Sequence, residues 1–244
     1  MIRALFLSML AALPAGALTV DEILDKMEAN EEARTSRMEA TMVVHDVGGK
    51  ERTSELISYG CDKGDKGLME YVSPARIKGM KMLMLNDGDD IWVYFPRTAR
   101  VRKIASHQKK QSVNNSDFSY EDLSMRDNRK DYHCTLAGEE TKDGAACYKI
   151  VMKARDPEKT YQRIVMWVDK ESFVSVAAEF FDEDGQLWKQ LEVDDVTRIG
   201  DYWTARTIEM KDVQKGSRTV MKMDKIEYDI QLDESMFSER YLKK

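Results

Sequence analysis

The hydrophobic pattern changes period once along the chain. Val20, Ile23, Leu24 and Met27 fall at i, i+3, i+4 and i+7, with Glu22, Asp25, Lys26 and Glu28 on the opposite side. This is one apolar stripe of a helix that must lie on something apolar. Thr19-Val20-Asp21-Glu22 places a hydroxyl and a carboxylate where both can bond free helix-start N–H groups. From the late thirties the period is 2. Met38, Ala40, Met42 and Val44 alternate with Arg37, Glu39, Thr41 and His45, as in a strand with one wet face.

The alternation then recurs between turn residues. Gly48-Gly49 leads into Lys50 to Tyr59; Lys66 to Val72 stops at Ser73-Pro74; Met80 to Leu85 precedes Asp87-Gly88, a hairpin signal. Ile91 to Phe95 and Val101 to Ile104 follow, before a polar stretch from Ala105 to Asp117. In the second half, Asp131 to Gly138 and Ala146 to Ala154 flank Lys142-Asp143-Gly144. Tyr161 to Val168, Phe173 to Phe181, Gln186 to Val193, Tyr202 to Met210 and Arg218 to Tyr228 complete the set. About a dozen short strands with few helices predict an antiparallel meander curling into a sandwich, barrel or half-barrel. With no internal repeat or low-complexity linker, residues 18–244 read as one domain.

The first residues set the compartment. Arg3 gives a cationic start, Ala4 to Leu13 is apolar, Pro14 breaks the run, and Ala15-Gly16-Ala17 supplies small residues for a signal peptidase. Ten apolar residues are too few for a bilayer core that needs about 20. Residues 1–17 are therefore expected to be a cleaved signal peptide, and the product to be soluble in the periplasm. Once Arg3 is removed, 37 Lys and Arg stand against 44 Asp and Glu, a formal charge of −7. That argues against a nucleic-acid binder, which carries a basic footprint. Cys61, Cys134 and Cys147 are too few for a disulfide scaffold. If Glu140 to Gly144 form the turn, Cys134 faces Ile150, and Cys147 lies about 10 Å away on the opposite face. That is beyond the reach of a bridge.

Candidate chemistry is sparse. His45, His107 and His133 lie in separate segments, and no HExxH, CxxC, G-x-S-x-G or phosphate-cradling loop occurs. Methionine is the anomaly: 14 of the 16 follow residue 17, with Met80, Met82 and Met84 on one face of one strand, and Met221 and Met223 repeating this later. A thioether on a flexible stem suits a surface that accepts variable apolar partners. Met38, Met42, Met82 and Met84 are thus candidates for an apolar cavity. Trp92 and Tyr94, on one face of the next strand, are candidates for its mouth. Arg97, Arg100, Arg102 and Lys103, with Lys109-Lys110 further on, form a cationic run suited to anionic head groups or an acidic partner.

Residues 74–123 contain "PARIKGMKMLMLNDGDDIWVYFPRTARVRKIA" and then "SDFSYEDL". These resemble the LolA-like outer-membrane lipoprotein-sorting proteins, and in particular the branch associated with RND/MMPL-type exporters. The likeness continues through "YHCTLAGEETKDGAACYKIVMKA", "QRIVMWVDKESF" and "FFDEDGQLWKQLEV". Asn114-Asn115 departs from the small, glycine-containing sequence expected there. The resemblance implies a half-barrel of about 11 strands, closed on its concave side by helices, that shields the acyl chains of a lipoprotein or lipid during transfer towards the outer membrane. It implies no catalytic residue and no cofactor. The implied partners are an inner-membrane exporter of that type and an outer-membrane acceptor, with the protein a monomer. The alternative is a non-catalytic accessory or lipid-sensing subunit docked on the exporter. A carrier also needs a removable cover. The Val20/Ile23/Leu24/Met27 stripe and the Phe118/Tyr120/Leu123 segment are the candidates for that lid.

Overall fold

The computed structural model describes residues 18–30, 32–124 and 128–244, and the expected signal peptide lies outside them. Helix α1 (Val20–Ala29) starts at the expected cap: the Glu22 N–H donates to Thr19 Oγ1 at 3.2 Å and the Thr19 N–H to the Glu22 carboxylate at 2.7 Å. The strands are β1 (Thr35–His45), β2 (Glu51–Cys61), β3 (Lys66–Ser73), β4 (Lys81–Leu85), β5 (Asp90–Phe95) and β6 (Arg100–Lys103) in the first half. A one-turn helix, α2 (Asn128–Asp131), precedes β7 (Tyr132–Lys142), β8 (Ala145–Ala154), β9 (Arg163–Asp169), β10 (Ser175–Phe181), β11 (Leu187–Ile199), β12 (Tyr202–Asp212) and β13 (Ser217–Tyr228).

All 13 strands join one antiparallel sheet in the order β6-β5-β4-β3-β2-β1-β13-β12-β11-β10-β9-β8-β7. It is a curved, unclosed half-barrel, two strands larger than the resemblance implied. The chain enters at the middle, where β1 pairs with β13, and works out to the edge at β6. It then crosses to the far edge at β7 and returns to the middle. The residues between β6 and β7 therefore have to traverse one face of the sheet, here called the inner face.

Register carries single rows of side chains across that face. Met38 lies opposite Ser58, Ser58 opposite Met69, Met69 opposite Met82 and Met82 opposite Val93. A parallel row runs from Met42 through Met221 to Ile208. Over β1–β5 this face is buried beneath Ile104, Val113, Phe118 and Tyr120 of the crossing segment. Over β7–β10 it is buried beneath Ile23 and Leu24 of α1, with Ile150, Met152, Met166 and Val168 in the contact. Phe180 and Leu191 touch both clusters and join them into one core. On the outer face, Leu68 and Leu83 are covered by Met236, Phe237 and Leu242 from the C-terminal turns.

All three cysteines are free. The β7–β8 turn is tighter than expected, with Lys142 opposite Ala145, and a bulge sits between Leu136 and Gly138. Cys134 therefore faces Met152 rather than Ile150, and Cys147 faces Glu140. The two thiols are further apart along the strands than the sequence suggested.

Candidate functional site

Between α1, the crossing segment and the sheet lies a cleft of ≈ 840 Å³, within the 300–1,000 Å³ of small-molecule sites. Its floor is apolar, from Met38, Ile164, Phe180, Leu191 and Met210 of the sheet. Leu24 and Met27 of α1 and Phe118 and Leu123 of the crossing segment supply the walls. Glu32, Asp62, Asp65, Asp87, Arg129 and Lys130 also line it. The site is thus an apolar trough with charged side chains along part of its lining. A second hollow, of ≈ 450 Å³ beside Arg34, Cys61 and Glu234, lies on the outer side of β1 and β2.

The two covers are held differently. The crossing segment is fastened by buried polar groups. Lys109 donates to the Gly88 and Asp89 carbonyls at 2.9 and 2.8 Å. The carboxylate of Asp117 accepts from Ser217 and, at 2.7 Å, from Thr219, both on β13. Asp122 forms an ion pair with Lys189 of β11 at 2.8 Å, both side chains only 5% exposed. Asp122 also accepts from Tyr161 Oη at 2.8 Å and from the Ser119 N–H at 2.8 Å. Burial and the neighbouring Asp122 charge push the Tyr161 phenol well above its ordinary range, so it remains a donor.

Helix α1 buries Ile23 and Leu24, but its polar contacts lie at or near the surface. Arg129 pairs with Asp25 and Glu28, the Lys26 ammonium sits 5.0 Å from the Phe173 ring, and Asn30 bonds the Ser172 carbonyl at 2.8 Å and the Trp203 N–H at 3.1 Å. Exposed ion pairs contribute about 0–1 kcal/mol each, so α1 is the more easily released cover.

The structure brings some of the sequence candidates together and separates others. Met38 lines the cleft. Met42, Met82 and Met84 share the inner face with it but are buried under the crossing segment, 1%, 1% and 6% exposed. Trp92 and Tyr94 were expected at the mouth, and this placement is corrected: both point to the outer face with Leu83 and Leu85. The pleat allows only alternate residues inward, and Ile91 and Val93 take those positions. Of the helix stripe, Ile23 and Leu24 are buried, with Val20 and Met27 packed beside them. Phe118, Tyr120 and Leu123 lie against the inner face as one group.

The cationic run divides. Arg97 and Arg100 are exposed, and Arg102 is on the inner side, opposite Val93. Lys103 turns outward to Asp90 at 2.6 Å, over the Trp92 ring. Lys109 is buried, so it anchors the segment instead of joining the patch. Sequence reasoning missed Phe180, Leu191, Met210 and the Asp122–Lys189–Tyr161 cluster. Their strands were recognised, but which strands face the crossing segment depends on the crossing itself.

A family model described only as "uncharacterized protein" matches residues 63–244. Among solved structures, the chain is similar to an outer membrane lipoprotein-sorting protein domain from Vibrio parahaemolyticus, with 27% identity and a TM-score of 0.85 over 91% of this chain and 97% of that one. It is similar to a DUF1329 family protein from Desulfovibrio piger, with 30% identity and a TM-score of 0.84 over 91% and 96%. The chain belongs to the LolA-like, outer-membrane lipoprotein-sorting family. A LolA superfamily protein from Nitrosomonas europaea shares the fold, at 22% identity and a TM-score of 0.75 over 92% of this chain and 100% of that one. No curated protein matches the sequence. Within the LolA-like frame, Asn114-Asn115 is accommodated without glycine: both residues adopt left-handed backbone, φ 50° and 55°, which asparagine tolerates better than most residues.

Proposed function

We propose that this LolA-like chain is a periplasmic carrier that shields the acyl part of a lipoprotein or lipid and performs no chemistry on it. The observation that supports this reading is the apolar trough between the sheet and two covers, one of them held by the buried side chains of Ile23 and Leu24 and by polar contacts at or near the surface. Each buried methylene of an acyl chain gains about 0.8 kcal/mol, so a carrier must cover most of the chain yet still release it. A cover with only two buried side chains and no buried charge meets both demands. In this reading α1 is the gate, and the crossing segment, with Phe118 and Leu123, is a fixed wall. Met38 and Met210 on the floor adapt to the cargo's shape. The partners are an exporter of the RND/MMPL type on the inner membrane and an acceptor on the outer membrane.

The test is to purify the exported protein from periplasm, extract it with organic solvent and analyse the extract by mass spectrometry. A fluorescent acyl probe is then titrated into the delipidated protein. Co-purifying lipid and saturable probe binding support the carrier. A dry interior with no probe binding overturns it in favour of an accessory subunit docked on the exporter.

A further inference from the structure

The antiparallel meander sends its turns alternately to two ends of the sheet, and the two ends differ in charge. Turns 62–65, 86–89 and 200–201, with the exit of β13, carry Asp62, Asp65, Asp87, Asp89, Asp201 and Asp229 at one end. Turns 46–50, 74–80, 96–99 and 213–216 lie at the other, with the acidic turn 182–186 (Asp182, Glu183, Asp184) on the far side of 213–216 from the rest. Two of them touch: a Cβ added to Gly79 would stand 3.8 Å from Pro96 Cβ. The other two are neighbours because His45 pairs with Arg218.

Arg76, Lys78, Arg97 and Arg100 project from the touching turns and are exposed. Among the described residues none of the four side chains has an ion-pair or hydrogen-bond partner, whereas those of Lys63, Lys66, Lys103, Lys149 and Lys170 each face a carboxylate. The same end carries Val47 and Val213, 71% and 40% exposed, the two large hydrophobic side chains that stand out among the described residues. Either feature alone is ordinary for a protein surface. On adjacent turns they combine unpaired cations with apolar tips.

We propose that this end of the sheet docks on an anionic lipid surface, with the four cations over the phosphates and the two valines entering the interface. A net charge of −6 would oppose such docking if it were spread evenly. The five- and six-residue strands β4 and β5, however, hold the cationic turns about 16–20 Å from Asp87 and Asp89 at ~3.3 Å per residue. That is about two Debye lengths of ~8 Å at physiological salt. The acidic end is therefore screened, while each cation near the surface strengthens binding about fivefold. An acidic protein surface would match the cations but offers the valines nothing to enter. Docked this way, the protein turns Asp62, Asp65 and Asp87 of the cleft lining away from the lipid.

The test is co-sedimentation of the purified chain with vesicles containing phosphatidylglycerol, against vesicles of phosphatidylcholine alone, at low and high salt. Wild type should bind the anionic vesicles, lose affinity as salt rises, and ignore the neutral ones. R76Q/K78Q/R97Q/R100Q should weaken binding several hundredfold, and V47S/V213S about tenfold. All six positions are exposed or at turn tips, so melting should match wild type. K149Q/K170Q, which removes paired cations elsewhere, should bind as wild type does. Absence of wild-type binding, equal binding by the quadruple variant, or equal binding to neutral vesicles each overturns the proposal. Absence of binding together with cross-linking to an acidic protein would assign the surface to that partner.

Discussion

Replacing Lys189 by methionine should loosen the crossing segment before it unfolds the sheet. Lys189 Nζ and the Asp122 carboxylate are 2.8 Å apart, with both side chains 5% exposed. The substitution keeps most of the volume but leaves a buried carboxylate without its cation, a change that costs about 3–5 kcal/mol. Asp122 retains its bonds from Tyr161 and the Ser119 N–H, which places the expected loss near the lower value, about 3 kcal/mol. For a chain of this size that lowers Tm by about 6–12 °C. Asp122→Asn strands the cation and should cost a similar amount. The double variant keeps an acceptor for Tyr161 and removes both charges, so its loss should fall short of the sum by about 2–3 kcal/mol. Urea midpoints of the four proteins give the cycle, and hydrogen exchange locates the effect. The amides of Val113 and Tyr120, bonded to Phe118 and Gln111 within the segment, should lose protection first. A loss under about 1 kcal/mol, the value of an exposed pair, with exchange unchanged at those amides, would refute the reasoning.

Three further outcomes are expected. Burial tends to raise the Asp212 pKa, but Lys215 at 2.8 Å and the Trp188 indole N–H at 3.2 Å hold it below its ordinary 3.8. The stability it contributes is full above that ordinary value and drains as pH falls through the lower folded value, so Asp212→Asn should flatten the acid limb of urea midpoint against pH. Thiol titration of the denatured, unreduced protein should count three groups, whereas a count of one would mean a bridge. Met38→Trp should narrow the cleft and weaken acyl-probe binding at least about tenfold, with Tm within a few degrees of wild type. Unchanged probe affinity would place the cargo elsewhere.

The strands were legible because one wet face imposes period 2, as in Met38, Ala40, Met42 and Val44. Their ends were less so, and the reason is local. The sequence reading ends one strand at Val193, before the turn-like Asp194-Asp195. In the fold Asp195 takes left-handed backbone, φ 55°, yet the pairing with β12 keeps its register on both sides of it, and β11 continues to Ile199. In β7 the pairing does slip by one residue, between Leu136 and Gly138 (φ 134°), and the strand runs on to Lys142. A bulge and a turn draw on the same residues, and only the partner strand separates them. The facing of β5 was illegible for a different reason. Ile91, Val93, Trp92 and Tyr94 are all apolar enough for a core, and both faces of that strand are covered, one by the crossing segment and one by the C-terminal turns.

That covering bears on which element can move. The crossing segment has no alternative path, because the chain must pass from the β6 edge to the β7 edge over the inner face. Its buried charges would be left in apolar surroundings if it were held half-open, so it is stable only fully closed or fully detached. Helix α1 is an appendage preceding β1. Lifting it exposes chiefly Ile23 and Leu24, about 1.5–3 kcal/mol each, and breaks ion pairs that water replaces at little cost. An opening free energy of about 4 kcal/mol corresponds to roughly one molecule in a thousand open at any moment. Five methylenes entering the trough, at about 0.8 kcal/mol each, offset that cost. In the proposed carrier, entry of the first third of an acyl chain is therefore enough to balance the gate, and the remaining two thirds set how tightly such a cargo is held.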